Sequence, residues 1–364
     1  MAFSAFHGNS DVVSRLREMV ERGRLPHAII LAGPRGAGKY KLAQMMAKVV
    51  NCLSPKNGDG LPDFCSQCAN CLRIAEADDL DAACAQAVHA REEMTAADQK
   101  DTRLLIQTHP DVLVIPPDPP QMMIKIGQVR RVIETIYYRP GEARERIYIF
   151  TDSVFMKEAA NSLLKVLEEP PEFATIFLLT ENTGELLPTI RSRAMTFTLG
   201  ALPVRDIEDY LASERRELAP KQRALVARLS GGAIGRARGF DLEGYVEARK
   251  DALTMLSSAT SASDHSTLFR TTETYRAGAE GKDKTEQLIH TSYLLLEDML
   301  FVKSDTEDLV RNTDILGEIK RLAAAVDFEW IGAATSGLGE VESGMRRNLL
   351  RSLSLDAFAT ALER

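Results

Sequence analysis

The stretch that decides the fold is HAIILAGPRGAGKY, residues 27–40, in which an apolar run leads into a glycine-rich loop. The run 29–32 predicts a buried β-strand, and the apolar residues after the loop recur at helical spacing. A loop between strand and helix suits phosphate, because glycines let backbone N–H groups converge on its oxygens at a helix N-terminus. The candidate nucleotide-binding residues are Gly33, Gly36, Gly38 and Lys39.

Two positions that nucleotide hydrolysis needs are changed. A Ser or Thr normally follows the loop lysine and gives its hydroxyl to Mg²⁺, but Tyr40 stands there, and a phenol on a rigid ring cannot replace so small a ligand. After the apolar run 147–150 an Asp-Glu pair would hold metal and orient water, but the sequence has Asp152-Ser153. The pattern predicts a loop that binds ATP or ADP, or survives only as a tight turn, without hydrolysing nucleotide.

Four of the five cysteines lie close together in the spacing Cys52-x12-Cys65-x2-Cys68-x2-Cys71. Short turns between thiols bring the sulfurs around one point, and four soft ligands are what a structural Zn²⁺ site uses. We therefore predict a closed tetrahedral zinc site rather than buried unliganded thiols. Cys84 lies outside the spacing and is interpreted as a small apolar filler.

The bulk composition excludes several classes of protein. The 364 residues suffice for two or three domains, and 45% hydrophobic with 27% charged residues is typical of a chain that folds. The net charge is −7, so the chain lacks the excess of positive charge expected of a protein that binds nucleic acid by itself. The start lacks the pattern of a signal peptide, and no apolar run reaches about 18 residues, so we expect a cytoplasmic protein with reduced cysteines and no membrane partner.

The chain divides into regions by pattern. Residues 1–200 alternate β-rich runs with helical segments, which predicts a parallel sheet flanked by helices with the zinc module at about 52–71. Residues 75–101 are rich in alanine and acidic residues and are interpreted as a solvated helical insertion or a mobile loop. Helical patterns predict a small lid at 201–242 and an all-α third domain at 243–364.

Several motifs together resemble the bacterial clamp-loader subunits of the AAA+ family. The resemblance runs in order over roughly residues 5–240 and covers the phosphate loop and the cysteine module. It also includes 24-RLPHA-28, 109-HPD-111, 160-ANSLLKVLEEPP-171 and 189-TIRSRA-194. The resemblance implies an α/β AAA+ core with a parallel sheet, then a small helical lid and an all-α C-terminal collar.

The resemblance also implies roles for individual residues. In the family a Ser-Arg-Cys motif presents its arginine to the ATP of a neighbouring subunit; Ser192 and Arg193 match, and Ala194 replaces the cysteine. Thr180 matches a position that senses nucleotide from the sheet, and Arg236 matches the lid arginine. From the residues alone, the alternative is that Arg193 pairs with a surface carboxylate, as arginines at the ends of Arg-rich loops usually do.

Within the family, the changes at Tyr40 and Ser153 favour the non-hydrolysing subunit over the tau and gamma ATPases. The implied function is to help open the sliding clamp and load it on primed DNA, in a ring with delta and tau or gamma subunits, by supplying Arg193 in trans. One alternative is a catalytically active tau/gamma-like ATPase. Another is a zinc-dependent nucleic-acid binder on a vestigial AAA+ fold, which the acidic charge balance disfavours.

Overall fold

The computed structural model describes residues 2–95, 98–99, 102–260, 266–276, 278–347 and 349–363. The chain forms two compact units. The first comprises Met1–Ile207 with Gly232–Arg236, and the second comprises Glu208–Gly231 with Ala237–Arg364. Among the described residues, no helix combines the length and apolarity that crossing a bilayer requires.

The first unit is built on a six-stranded sheet in the order β4-β5-β6-β7-β1-β8. Only the edge strand β4 runs antiparallel to its neighbour; the other pairings are parallel. A separate hairpin, β2-β3, lies in the cysteine module. The strands are β1 (Ala28–Ala32), β2 (Lys56–Gly58), β3 (Leu61–Asp63), β4 (Ile106–His109), β5 (Val112–Ile115), β6 (Arg146–Phe150), β7 (Ala174–Thr180) and β8 (Met195–Thr198).

Helices cover both faces of this sheet. Alternate residues of β1 enter different apolar cores: Ile29 and Leu31 pack with helices α1 to α4, and Ile30 packs with α5 to α7. Strands buried on both faces explain the continuous apolar runs in the sequence. The helices are α1 (Ser10–Glu21), α2 (Lys39–Asn51), α3 (Ala69–Ala75), α4 (Leu80–Glu92), α5 (Ile126–Ile136), α6 (Lys157–Glu168) and α7 (Pro188–Arg191).

After β8 the described chain is helical. The second unit has its own apolar core, formed by residues such as Leu256, Leu288, Trp330 and Phe358. The α/β fold with a parallel-dominant sheet followed by helices is therefore confirmed. These helices are α8 (Val204–Glu214), α9 (Pro220–Leu229), α10 (Ile234–Arg238), α11 (Leu242–Thr260), α12 (Ser266–Glu273), α13 (Gly278–Lys303), α14 (Leu316–Ala325), α15 (Phe328–Arg346) and α16 (Arg351–Ala361).

The boundaries of the three predicted domains stay a prediction. The division into two compact units places most of the predicted lid, 208–231, in the second unit. Gly232–Arg236 instead belongs to the first unit, because this segment packs on the glycine loop.

Candidate functional site

The carboxyl ends of β1, β6 and β7 lie side by side in the sheet and carry the candidate nucleotide residues. Gly33, Gly36 and Gly38 have φ values of +146°, +83° and +91°, which residues with a side chain rarely adopt. The amide of Gly33 donates to the Thr180 carbonyl at 3.1 Å, which ties the loop to β7. Helix α2 begins directly after Gly38, so the loop has the backbone shape that phosphate binding requires.

The loop lysine is engaged within its own loop. The Nζ atom of Lys39 donates to the carbonyl of Gly33 at 2.5 Å and to that of Pro34 at 3.0 Å. Burial lowers the pKa of Lys39; the charges of Glu181 and Asp152 oppose this shift without cancelling it. A phosphate at this loop would have to draw the ammonium away from two carbonyl acceptors.

The segment that carries Arg236 packs directly on the glycine loop. The amide of Gly235 donates to the Gly36 carbonyl at 2.9 Å. A Cβ added at Gly36 would lie 2.8 Å from both the backbone nitrogen and Cγ of Arg236, so only glycine allows this approach. The structure therefore brings Arg236 to the glycine loop, and the backbone and side chain of Arg236 fill the space beside Gly36.

Tyr40 does not face a metal site. Its hydroxyl donates to the Ala77 carbonyl at 2.5 Å and accepts from Nε2 of Gln44 at 2.6 Å. Burial raises the pKa of Tyr40, so the phenol stays protonated. The ring packs against the core of the first unit. The side chain at the magnesium position therefore braces α2 against the chain that follows α3. The loop residues fit phosphate in shape, but this position does not fit a magnesium ligand.

The residues after β6 also serve the chain's own structure. The hydroxyl of Ser153, 2% exposed, donates to Oε2 of Glu185 at 2.6 Å and lies 2.9 Å from Oγ1 of Thr180. Asp152 accepts from the backbone amide of Val154 at 2.9 Å. Sequence reasoning missed Glu185, because nothing in its local pattern shows that it contacts Ser153. Two hydroxyl groups surround this carboxylate, which suits a structural hydrogen-bond cluster.

The four predicted cysteines converge on one point. Their four Sγ atoms all lie within 4.8 Å of one another, and Sγ of Cys52 lies 4.0 Å from Sγ of Cys68. Tetrahedral ligands at the Zn–S distance of about 2.3 Å would be about 3.8 Å apart, so the cluster is close to metal geometry. Three of the four residues are buried and Cys68 is partly exposed. The residues therefore fit a closed, structural metal site.

Backbone amides point at the sulfurs of this cluster. The amide of Cys65 donates to Sγ of Cys52 at 3.3 Å, and those of Gln67 and Cys68 donate to Sγ of Cys65 at 3.4 and 3.2 Å. Burial alone would raise the pKa of Cys68, but amide hydrogen bonds from Cys71 and Leu53 and the neighbouring thiols outweigh it and lower the pKa to about 6. The pKa of Cys65 is also lowered, mainly by the amide of Gln67, whereas burial raises the pKa of Cys52 and of Cys71. The thiolate, the form that binds metal, is thus favoured at Cys65 and Cys68.

The cysteine module is anchored to a loop of the α/β core. Asn51, the last residue of α2, accepts at Oδ1 from the amides of Arg144 and Glu145, both at 3.0 Å, and its carbonyl accepts from Asn70 of α3. Arg73 of α3 pairs with Glu142 of the same loop. Because Cys52 directly follows α2, the cysteine cluster, the rest of its module and loop 139–145 form one connected structure.

The His109-Pro-Asp111 motif supports the same loop from the other side. The Asp111 carboxylate accepts from the amides of residues 141–143 at 2.9 to 3.0 Å. Burial alone would raise the pKa of Asp111, but these amides, with Arg146 nearby, outweigh it and lower the pKa. The Nδ1 atom of His109 accepts from the Asp111 amide at 3.1 Å. The motif therefore has a structural role in this chain.

The segment 75–101 includes a helix, α4, that is fixed to the core. Arg91 of α4 pairs with Asp118, a fully buried carboxylate whose second oxygen lies 3.4 Å from Nζ of Lys125. Ala83 is also buried. The predicted helical character of this segment holds over 80–92, although the helix is docked rather than fully solvated. Residues 96, 97, 100 and 101 lie outside the described residues.

The predicted finger arginine lies on the surface of the first unit just after α7. Nη2 of Arg193 lies 2.8 Å from Oε1 of Glu168, and Nη1 donates to the Thr189 carbonyl at 3.0 Å and to Oγ of Ser192 at 3.3 Å. The Arg193 side chain is 35% exposed. In the isolated chain Arg193 thus forms an ion pair with a carboxylate of its own chain, which is one of the two expectations. Sequence reasoning did not identify Glu168, which lies 25 residues earlier.

The parallel-dominant sheet, the glycine loop after its β1 strand and the helical region that follows define an α/β protein with an all-helical C-terminal part. A family model described as DNA polymerase III, delta subunit, matches residues 8–203. That range is more than half of the chain, and the chain therefore belongs to this family.

Curated relatives agree with this assignment. The DNA polymerase III subunit delta' of Bacillus subtilis (strain 168) is 27% identical over 315 residues, which are 86% of this chain and 83% of the relative. The DNA polymerase III subunit tau of Escherichia coli (strain K12) is 28% identical over 238 residues, which are 64% of this chain and 31% of the relative. The aligned part thus covers about a third of tau but most of delta'. The resemblance to bacterial clamp-loader subunits is therefore confirmed, and among the relatives compared it extends over most of a delta' chain.

Among solved structures, the chain is similar to a DNA polymerase III, gamma subunit-related protein from Thermotoga maritima. It is 20% identical, with 97% of this chain and 98% of that chain covered and a TM-score of 0.42. An overlap this loose carries no weight for function.

Proposed function

We propose that this chain is a delta prime-like subunit of the DNA polymerase III clamp loader that does not hydrolyse ATP itself. It works with delta and tau or gamma subunits in the cytoplasm to open the sliding clamp and load it on primed DNA. The observation that carries the proposal is that the hydroxyls of Tyr40 and Ser153 are hydrogen-bonded within the chain, to the Ala77 carbonyl and to Glu185. Both residues stand where hydrolysis needs oxygen ligands for metal and water.

The proposed contribution of this chain to chemistry is Arg193, supplied in trans. A guanidinium stays charged and bridges two oxygens of a transferring phosphoryl group. Such a residue adds about 10³-fold or more to the rate where it has been measured. The position of Arg193 at a partly exposed turn supports this role, because a buried arginine could not reach another subunit.

The proposed cofactor is one structural Zn²⁺ held by Cys52, Cys65, Cys68 and Cys71. The ion would stabilise the module without taking part in a reaction, because four protein ligands leave no open coordination position. The loop Gly33–Lys39 would hold the phosphates of ATP or ADP, with Thr180 and Arg236 beside it, once Lys39 leaves the carbonyls that it now contacts.

Assembly tests the proposed function directly. The purified chain should enter a stable complex with a delta subunit and a tau or gamma subunit, observed by size-exclusion chromatography with light scattering. That complex should load a sliding clamp on primed DNA, and the mixture without this chain should not. Failure to join the complex, together with salt-dependent DNA binding by the chain alone, would favour the nucleic-acid binder.

The isolated chain should not turn over ATP. Tyr40 offers no oxygen to magnesium and Ser153 no carboxylate to water, so steady-state phosphate release should equal that of a Lys39→Ala control. Turnover at a rate typical of phosphoryl-transfer enzymes, abolished by Lys39→Ala, would instead identify an active tau/gamma-like ATPase.

A further inference from the structure

We propose that Glu168 is a positioning residue for Arg193. Its carboxylate, together with the Thr189 carbonyl, holds the guanidinium in one orientation on the surface before another subunit's ATP site meets it. This inference rests on the proposed function, in which Arg193 acts in trans.

Glu168 and Arg193 stand on two elements that share one apolar core. Glu168 is the last residue of α6, and Leu163, Val166 and Leu167 of that helix are buried. Ile190 of α7 is buried in the same core, three residues before Arg193. Both residues are therefore attached to backbone that the core already holds in place. The contact between them restricts the Arg193 side chain and is not needed to order the backbone.

The guanidinium is held through its two terminal nitrogens. Nη1 donates to the Thr189 carbonyl and the Ser192 hydroxyl, and Nη2 donates to Glu168. Nε makes no hydrogen bond to the described part of the chain. Nε is therefore available to donate to an oxygen of a phosphate, an acceptor that guanidinium groups commonly bind.

The contact between Glu168 and Arg193 restricts the Arg193 rotamer more than it stabilises the fold. Both side chains are substantially exposed, at 35% for Arg193 and 51% for Glu168, and ion pairs of this kind contribute little to folding. An unrestrained arginine would lose its rotamer freedom only when it meets the phosphate, which weakens the interaction in the transition state. Removing Glu168 should therefore slow the reaction without weakening the fold.

The main experiment uses the reconstituted loader. Glu168→Ala should lower kcat of clamp-stimulated ATP turnover at the site that Arg193 faces by about 3- to 10-fold, with KM for ATP nearly unchanged and assembly intact. Glu168→Gln, which keeps an acceptor oxygen, should fall between wild type and Glu168→Ala. Glu169→Gln is the matched control, because the adjacent exposed glutamate forms no ion pair within the described residues, and it should behave as wild type.

A second variant separates the two roles. In an Arg193→Ala background, Glu168→Ala should cause no further loss, because a positioning residue acts only through the residue that it orients. If Glu168→Ala turns over at the wild-type rate or faster while Arg193→Ala is slow, the carboxylate does not position the arginine and the inference is wrong.

The isolated chain gives a readout that does not depend on the loader. The Nε–Hε signal of Arg193 in an NMR spectrum should show restricted rotation of the guanidinium in wild type and Glu169→Gln, and fast rotation in Glu168→Ala. If Arg193→Ala leaves the loader unaffected, the trans role fails while this measurement still tests the contact. Equal restriction of Arg193 in Glu168→Ala would refute the inference even in a loader where Arg193 matters.

Discussion

Replacing Cys68 by serine should abolish metal binding by the chain. The purified wild-type protein should contain about one zinc per molecule by elemental analysis, and Cys68→Ser should contain almost none, because loss of one of four ligands opens a closed structural site. Zinc binding at such sites is worth about 10–16 kcal/mol in small peptides, which exceeds what so short a module gains from packing. Deprived of the ion, the module should unfold locally.

Amide hydrogen exchange should show which residues lose protection when zinc is lost. Amides of residues 52–75 should exchange faster in Cys68→Ser, with a smaller effect on loop 139–145, because Asn51 and Asp111 still hold that loop. Cys84→Ser is the matched control, since Cys84 lies in α4 outside the cluster, and it should keep its zinc. A full complement of zinc in Cys68→Ser would rule out the four-cysteine site.

Replacing Arg193 by alanine should leave the chain folded and the loader assembled, while ATP turnover at the facing site falls by about 10³-fold. The fold should survive, because the ion pair with Glu168 is exposed and contributes at most about 1 kcal/mol. The developing charge on the phosphoryl group would lose its external cation. Arg193→Lys should restore little, because an ammonium keeps the charge but lacks the planar fork.

The measurement is clamp-stimulated ATPase and clamp loading by loaders reconstituted with wild-type, Arg193→Ala or Arg193→Lys chain, with assembly checked by size. Arg191→Ala controls for charge, because Arg191 is an exposed arginine at the end of the same helix. Normal loading by an assembled Arg193→Ala loader would show that Arg193 is only a surface ion-pair residue.

The sequence predicts the parts of this molecule that depend on local spacing. The strand and glycine loop at residues 27–40 follow from apolar runs and from backbone angles that only glycine adopts easily. The four cysteines follow from a ligand spacing that the metal's geometry imposes. Such signals are local because the strand, the loop and most of the ligands are contributed by neighbouring residues.

Contacts between distant residues could not be predicted in this way. Arg91 meets Asp118, Ser153 meets Glu185 and Glu168 meets Arg193 because separate elements of the first unit pack together. Each partner alone is an ordinary surface-type residue in the sequence. The sequence predicts that Tyr40 is a poor magnesium ligand, but its contact with Ala77 depends on where the cysteine module docks.

The contacts of Tyr40 also limit which side chains position 40 can accept. Serine there would leave the Ala77 carbonyl and Gln44 without this partner and a gap where the ring packs. The small hydroxyl that magnesium binding uses would therefore destabilise the first unit until other changes filled the gap. If the chain does not hydrolyse ATP, as proposed, no single substitution at position 40 would restore the magnesium ligand without a cost in stability.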